Sequence, residues 1–353
     1  MSGRQHHYLP QLIQRPFAYR QKGKLYYVHA HHRTQGLFAP NTGGLGKELD
    51  FYGDPDDTAL DDAITESESA LATTVQAINR GDAVAAHDMA TLVCALAFRT
   101  KSMRTAVVEM FPALLAALRQ HFSDISRVRW DLMESLNDPK RRRRLICEQI
   151  DRNMGRLSRE QRAKAYGTLL PMWKNHVNQR GEQMVAAAWQ FTSFLLAKLR
   201  ADADTIANGA FLNALAKGPT LPGRAERFVA DLRFDVLVAP RDEFFILGDC
   251  GPVAIFTDGQ PRLVLGAFSN DVNIETLLLP VSPERCIVGR LPSAQTDLSV
   301  TDINRISASL SLEFFVSDRD TGGELQELRA SIGSLVPIDA EDDIVHTLLA
   351  QMD

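Results

Sequence analysis

Five histidines, His6, His7, His29, His31 and His32, fall within the first 32 residues of a chain that has nine in all. Imidazole takes up and releases a proton near neutral pH and is a common metal ligand, so this concentration is where chemistry is first expected. His29 and His31 stand two residues apart, which puts them on one face of a strand and gives a spacing suited to a metal, with His7 joining them if the opening folds back. The alternative is a solvated loop carrying histidines without a shared task.

Charged residues set into helical patterns come next. At about 100° per residue, Glu68 lies about 40° from Ile64 on an apolar stripe, whereas Glu66 points away. Arg99 lies about 20° from Leu92, and Arg104 falls on the opposite shoulder of the same stripe. A carboxylate and two guanidinium groups in such positions need partners. Either Glu68 pairs with Arg99 to fix helix packing, or the three face a polar cavity and hold an anionic substrate.

Two further clusters carry possible chemistry. Lys140-Arg141-Arg142-Arg143-Arg144 is the densest basic run, and it sits at a helix start, where the macrodipole disfavours cations. It is either a solvated face or a contact for phosphate backbones. Gly248-Asp249-Cys250-Gly251-Pro252 follows the apolar run Phe244 to Leu247 and places an acid and a thiol at a strand end. Asp249 could orient a histidine, bind a metal or cap a tight turn; Cys250 becomes a nucleophile only if its pKa is lowered.

The elements that must position these groups follow from periodicity. Leu25–Val28, a Thr34-Gln35-Gly36 turn and Leu37-Phe38 predict a short hairpin, and Pro40–Gly46 is loop by composition. From Asp57 to about Leu199 the period is helical: Ile64, Leu71, Val75 and Ile78 form one stripe, and Met89, Leu92, Val93, Leu96, Met103, Val107 and Met110 continue it. Asn137-Asp138-Pro139 predicts a cap with a first-turn proline. A later helix, from about Gly181 to Arg200, carries Met184, Ala188, Phe191, Leu195 and Leu199 on one face. After Gly218–Gly223, a boundary, short apolar runs at 234–238, 244–247, 253–256, 276–279 and 285–288 predict an antiparallel sheet. Residues 301–316 return to helix and Asp342–Gln351 form a terminal one. The expected class is α+β: a short N-terminal hairpin (1–56), a helical middle (57–217) and a strand-rich last third (218–353), interlocked as one domain.

Bulk properties remove several function classes. A chain of 353 residues with 45% hydrophobic and 24% charged residues can bury a sizeable core. Its net charge of −5 creates no global field for nucleic acid. The cysteines, Cys94, Cys147, Cys250 and Cys286, form no Cys-x-x-Cys pair, which fits a reducing compartment. No signal peptide or membrane span is evident, so a cytoplasmic location and no membrane partner are expected. The absence of Walker-type, His-Glu-x-x-His and Gly-x-Ser-x-Gly motifs lowers the expectation of nucleotide hydrolases, zincins and α/β-hydrolases.

Taken in order, the segments His7-Tyr8-Leu9-Pro10 with Phe17, Phe51-Tyr52 after Glu48, Glu68 on its helix, Arg99 with Arg104, Phe245–Pro252, and Leu279-Pro280-Val281-Ser282-Pro283 resemble the bacterial domain-of-unknown-function family 4238, across most of the chain to about residue 316. Two positions depart from the family pattern: Leu96 stands where a Gln is usual, and Gly248 where a Ser precedes the Asp. The resemblance implies an order of polar residues, with no reaction attached. The matched polar residues come from all three regions of the chain, as a site assembled at their junction requires, and the first expectation is a hydrolase, nuclease-like, acting on a phosphodiester or other anionic substrate. His7, Glu68 and Asp249 would be catalytic, with His7 as general acid or base and Glu68 and Asp249 orienting the histidine or binding a divalent metal, and Tyr8, Arg99 and Arg104 would hold substrate. The opposing expectation is a binding or scaffold protein in which the same residues form a buried polar network. Substrate, metal and oligomeric state are not fixed by the sequence.

Overall fold

The computed structural model describes residues 5–52, 59–155, 157–217, 222–264, 273–294 and 297–335. Eleven α-helices and thirteen strands lie among them, and the class is α+β. The chain forms two units, Met1–Phe111 with Asp204–Asp353, and Pro112–Ala203.

In the first unit β1 (Gln5–His7) runs antiparallel to β6 (Lys47–Leu49), with His7 opposite Lys47. Pro10 precedes the single turn α1 (Gln11–Gln14), and Pro16 sits in a 3-10 turn, so the prolines stop any longer helix there. The hairpin departs from expectation. Leu25–Tyr27 (β3) pairs back with Arg20–Lys22 (β2), and it is His29–His32 (β4) that faces Gly36–Phe38 (β5). Val28, fully buried, separates the two pairings and donates its N–H to Pro40, while Gly36 at φ +80° supplies the left-handed residue that the turn needs.

Helices α2 (Ala59–Arg80), α3 (Ala86–Ala97) and α4 (Lys101–His121) follow. The apolar stripe is buried as its spacing requires: Ile64, Leu71, Val75 and Ile78 on α2, and Met89, Leu92, Val93 and Leu96 on α3. Pro112 lies inside α4, at the point where the first unit gives way to the second.

The second unit packs α5 (Ile125–Asn137), α6 (Pro139–Met154) and α7 (Arg159–Ala201) around Val128, Leu136, Ile146, Ile150, Val177 and Val185. Asp138 caps α6 by accepting from the Arg141 N–H, with Pro139 in the first turn, as the sequence predicts. The helix expected from Gly181 is the last half of a 43-residue helix whose start is fixed by a Ser158/Gln161 capping box. Its stripe is not covered: Phe191 is 65% exposed and Leu195 40%.

Back in the first unit come α8 (Ala203–Lys217) and α9 (Pro222–Asp231); residues 218–221 of the expected boundary lie outside the described residues. Strands β7 (Arg233–Val238), β9 (Val253–Phe256), β10 (Pro261–Leu263), β11 (Ile274–Ser282) and β12 (Arg285–Arg290) form an antiparallel sheet in the order β10-β9-β11-β12-β7. The apolar run Phe244–Leu247 is mostly not strand; only Leu247–Gly248 (β8) is. The N–H of Phe245 goes to Pro283 and that of Ile246 to the Asn304 side chain, so a strand ladder has no claim on them.

The expected helix 301–316 ends early. Helix α10 (Val300–Leu310) gives way to β13 (Phe314–Ser317), which is sandwiched between β4 and β8 in the sheet β5-β4-β13-β8. The N-terminal hairpin is therefore one edge of a sheet completed by the far end of the chain. Helix α11 (Gly323–Ser331) follows, and the terminal helix expected at 342–351 lies outside the described residues. No described helix is long and apolar enough to cross a membrane.

Candidate functional site

Two polar clusters in the first unit account for the six residues singled out by sequence. One is an open cavity of about 370 Å³ lined by His7, Tyr52, Glu68 and Arg99, with His6 and Arg15 beside them. The pairing of β1 with β6 brings His7 to this place, α2 presents Glu68, and Arg99 sits in the short link between α3 and α4.

Arg99 is the hub. Its side chain is 5% exposed and its Nη2 donates to Glu68 Oε1 at 2.8 Å, to the Tyr52 hydroxyl at 2.8 Å and to the His7 carbonyl at 3.3 Å. Nε gives Tyr52 a second bond at 3.1 Å, and Tyr52 in turn donates to the His7 carbonyl at 2.7 Å. The backbone of His7 is thus clamped from two sides. Burial works against the Arg99 charge, but Tyr52 and Glu68 more than offset it, and the guanidinium is held above its ordinary value.

The His7 ring is left less committed than its backbone. Burial lowers its pKa, the Thr42 backbone and Glu68 pull it up, and Lys47 and Arg99 push it down; the net shift is downward, so the ring is neutral at pH 7. Its Nε2 and the Nη1 of Arg99 are buried atoms without a hydrogen-bond partner. His6, next in the strand, accepts the Tyr52 N–H at 3.2 Å and stacks on the Tyr52 ring, which fixes that ring over the cavity.

The second cluster holds Tyr8, Arg104 and Asp249. Arg104 donates to Glu48 Oε1 and to Asn208 Oδ1, both at 3.0 Å. Lys101 bridges Glu48 at 3.5 Å and Glu313 at 2.9 Å, and the Tyr8 hydroxyl donates to Glu313 at 3.3 Å. Asp249, fully buried, does not touch a histidine. Its carboxylate accepts the N–H groups of Leu312, Glu313 and Phe314 at 2.7, 2.8 and 3.2 Å. That clamp turns the chain from α10 into β13 and sets Glu313 opposite Lys101. Burial pushes the Asp249 carboxyl up to about 7 against the pull of those three donors.

The remaining candidates resolve individually. Cys250 is 1% exposed, and burial raises its thiol far above the ordinary value, so the lowered pKa that a nucleophile needs is absent. His31 bonds to the Arg319 carbonyl and stacks on Phe315, while His29 stacks on Tyr19, so each ring has a packing partner of its own. Among the described residues no group of three or more His, Cys, Asp or Glu is placed to hold a metal ion. In the basic run, Lys140, Arg143 and Arg144 are exposed, and Arg141 and Arg142 are half-buried.

The two positions that depart from the pattern implied by the resemblance have local explanations. Leu96 is 1% exposed within the core, with its carbonyl accepting the Arg99 N–H. A Cβ at Gly248 would stand 2.4 Å from Ser311 Oγ and 2.7 Å from the Ser307 carbonyl, so a serine has no room there.

Sequence reasoning passed over Tyr52, Lys101 and Glu313 as site residues. Lys101, two residues after Arg99 at a helix start, carried a signal in its spacing; Glu313 had none, being fixed by a backbone clamp 64 residues from Asp249. No curated protein and no solved structure matches the chain. A family model, by contrast, matches residues 5–320, from the strand that carries His7 to the loop after β13, and so covers both clusters. The chain belongs to the family described as protein of unknown function DUF4238.

Proposed function

We propose that the protein is a hydrolase of a phosphodiester or a chemically similar anionic ester, with the reaction at the His7 cavity. The observation that carries this reading is that His7 and Arg99 line one cavity and each keeps a nitrogen without a partner. A neutral imidazole is in the right state to take a proton from an attacking water, and an unspent guanidinium N–H offsets charge growing on the phosphoryl oxygens. Glu68 and Tyr52 act as positioning residues: they hold Arg99, and through its bonds the backbone of His7. Glu68, 35% exposed at the cavity wall, is also the carboxylate that a divalent cation would meet first.

The opposing reading, a non-catalytic polar network, is favoured by the second cluster. Tyr8, Glu313, Lys101, Glu48, Arg104 and Asn208 form a continuous chain of paired groups that ties the opening to α4, α8 and the start of β13. In the proposed function Tyr8, Arg104 and Asp249 are therefore structural, and substrate meets His7 and Arg99.

The test is hydrolysis of bis(p-nitrophenyl) phosphate and of short DNA and RNA strands, with and without Mg²⁺ or Mn²⁺. Turnover abolished in His7→Ala, with an unchanged melting temperature, is expected. Full activity in His7→Ala, or a wild type inert toward every phosphodiester, contradicts the reading.

A further inference from the structure

The chain's charge is divided unevenly between its units. Pro112–Ala203 carries 17 Lys and Arg against 9 Asp and Glu, a net of +8, whereas the rest carries 22 against 35, a net of −13. An overall charge of −5 conceals this. Among the described residues nearly all the cations of the basic unit are exposed, including Arg127, Lys140, Arg143, Lys164 and Lys174.

The same unit leaves an apolar stripe open. Residues 183–197 carry no charge, and Lys198 and Arg200 follow directly. Beyond Val185 no side chain of α7 is buried. Phe191 and Phe194 are 65% and 67% exposed and Leu195 40%. At about 100° per residue Met184, Phe191, Leu195 and Leu199 share one face. A stripe of this kind on a water-facing helix marks a contact surface.

We propose that the unit Pro112–Ala203 docks on an anionic lipid surface, with the Phe191/Phe194/Leu195 stripe entering the headgroup boundary, Lys198 and Arg200 beside it meeting acidic headgroups, and the unit's net charge of +8 drawing it to the surface. Charge complementarity selects this occupant. A second copy meeting stripe to stripe sets +8 against +8. A nucleic acid offers phosphates to the cations, but has no use for exposed Phe191, Phe194 and Leu195 in a 15-residue uncharged run. A helix with Phe and Leu on one side and Lys and Arg at hand lies in the membrane interface without crossing it, and α7 is not apolar enough to cross. The docking is independent of the His7 cavity.

Co-sedimentation of the full chain with vesicles tests this, comparing phosphatidylcholine alone with phosphatidylcholine containing phosphatidylserine. Binding only to the anionic vesicles, and its loss at high salt, are expected. The double variant Phe191→Ser/Phe194→Ser, whose side chains hold up no core, lowers partitioning more than ten-fold. Lys198→Gln/Arg200→Gln, at the exposed cations that directly follow the run, lowers it about 25-fold, about five-fold per charge. No binding to anionic vesicles overturns the proposal, as does equal binding to both compositions. A dimer in sedimentation equilibrium, or an RNA complex, that the Phe191→Ser/Phe194→Ser variant abolishes while vesicle binding is absent, overturns it too.

Discussion

Arg99→Met removes the hub of the cavity while keeping most of its volume. Four hydrogen bonds disappear: one to Glu68, two to the Tyr52 hydroxyl and one to the His7 carbonyl. Breaking a fully buried ion pair costs about 3–5 kcal/mol, but the Glu68 side chain is 35% exposed, so its share is screened to about 1 kcal/mol. The Tyr52 hydroxyl keeps its bond to the His7 carbonyl and loses both donors, a cost of about 1–2 kcal/mol for a buried acceptor. The total is about 2–3 kcal/mol. Glu68→Gln alone costs about 1 kcal/mol, and the double variant shows a coupling of about 1 kcal/mol. Arg99→Lys falls between, because an ammonium can keep Glu68 but not the fork on Tyr52. The assay is urea unfolding of the four proteins of the cycle, followed by the amide exchange of β1 and α3 so that the first unit is read by itself. The reasoning is refuted if Arg99→Met costs under about 1 kcal/mol, or if Glu68→Gln costs as much as Arg99→Met.

Other consequences are briefer. Asp249→Ala strands the N–H groups of residues 312–314 and lowers stability by more than about 3 kcal/mol, while turnover per folded molecule at the His7 cavity persists; loss of turnover in folded protein counts against the structural assignment. The folded pKa of Asp249, about 7, is raised above its ordinary value, so its contribution is present below about pH 4 and lost as pH rises through about 7. Relative to Asp249→Asn, the wild type loses up to ~4 kcal/mol across that window, read by denaturation at stepped pH. His7 has the opposite sign: its lowered pKa stabilises the fold above pH 6.5 and that stability is lost as pH falls through the folded value, a slope absent from His7→Asn. Gly248→Ser drives its Cβ into Ser311 and Ser307 and costs about 1–3 kcal/mol by thermal melting; an unchanged melting temperature shows that the turn yields.

Glu68 and Arg99 were legible because a charge near an apolar stripe of helical period has few ways to avoid a partner, and the two found each other. Asp249 was legible as a residue worth attention but not in its role, since the donors to its carboxylate are backbone N–H groups of a segment more than sixty positions away. Tyr52 depended on the β1–β6 pairing, which three-residue strands do not announce. The helix predicted over 301–316 failed for a similar reason: apolar spacing continued through Phe314 and Phe315, but the Asp249 clamp and the free edges of β4 and β8 took those residues into a sheet. On α7 the periodicity located the stripe and could not tell that its far end stays uncovered, with Phe191 65% exposed.

The claim at the centre of this account is that His7 and Arg99 jointly receive an anion. Following the His7 ring protons by NMR through a pH titration, with and without dimethyl phosphate, tests it most directly. The account predicts a His7 pKa below 6.5 in the free protein, an upward shift when the diester is added, and no such shift in Arg99→Met. A His7 that titrates at its ordinary value and ignores the diester would contradict it.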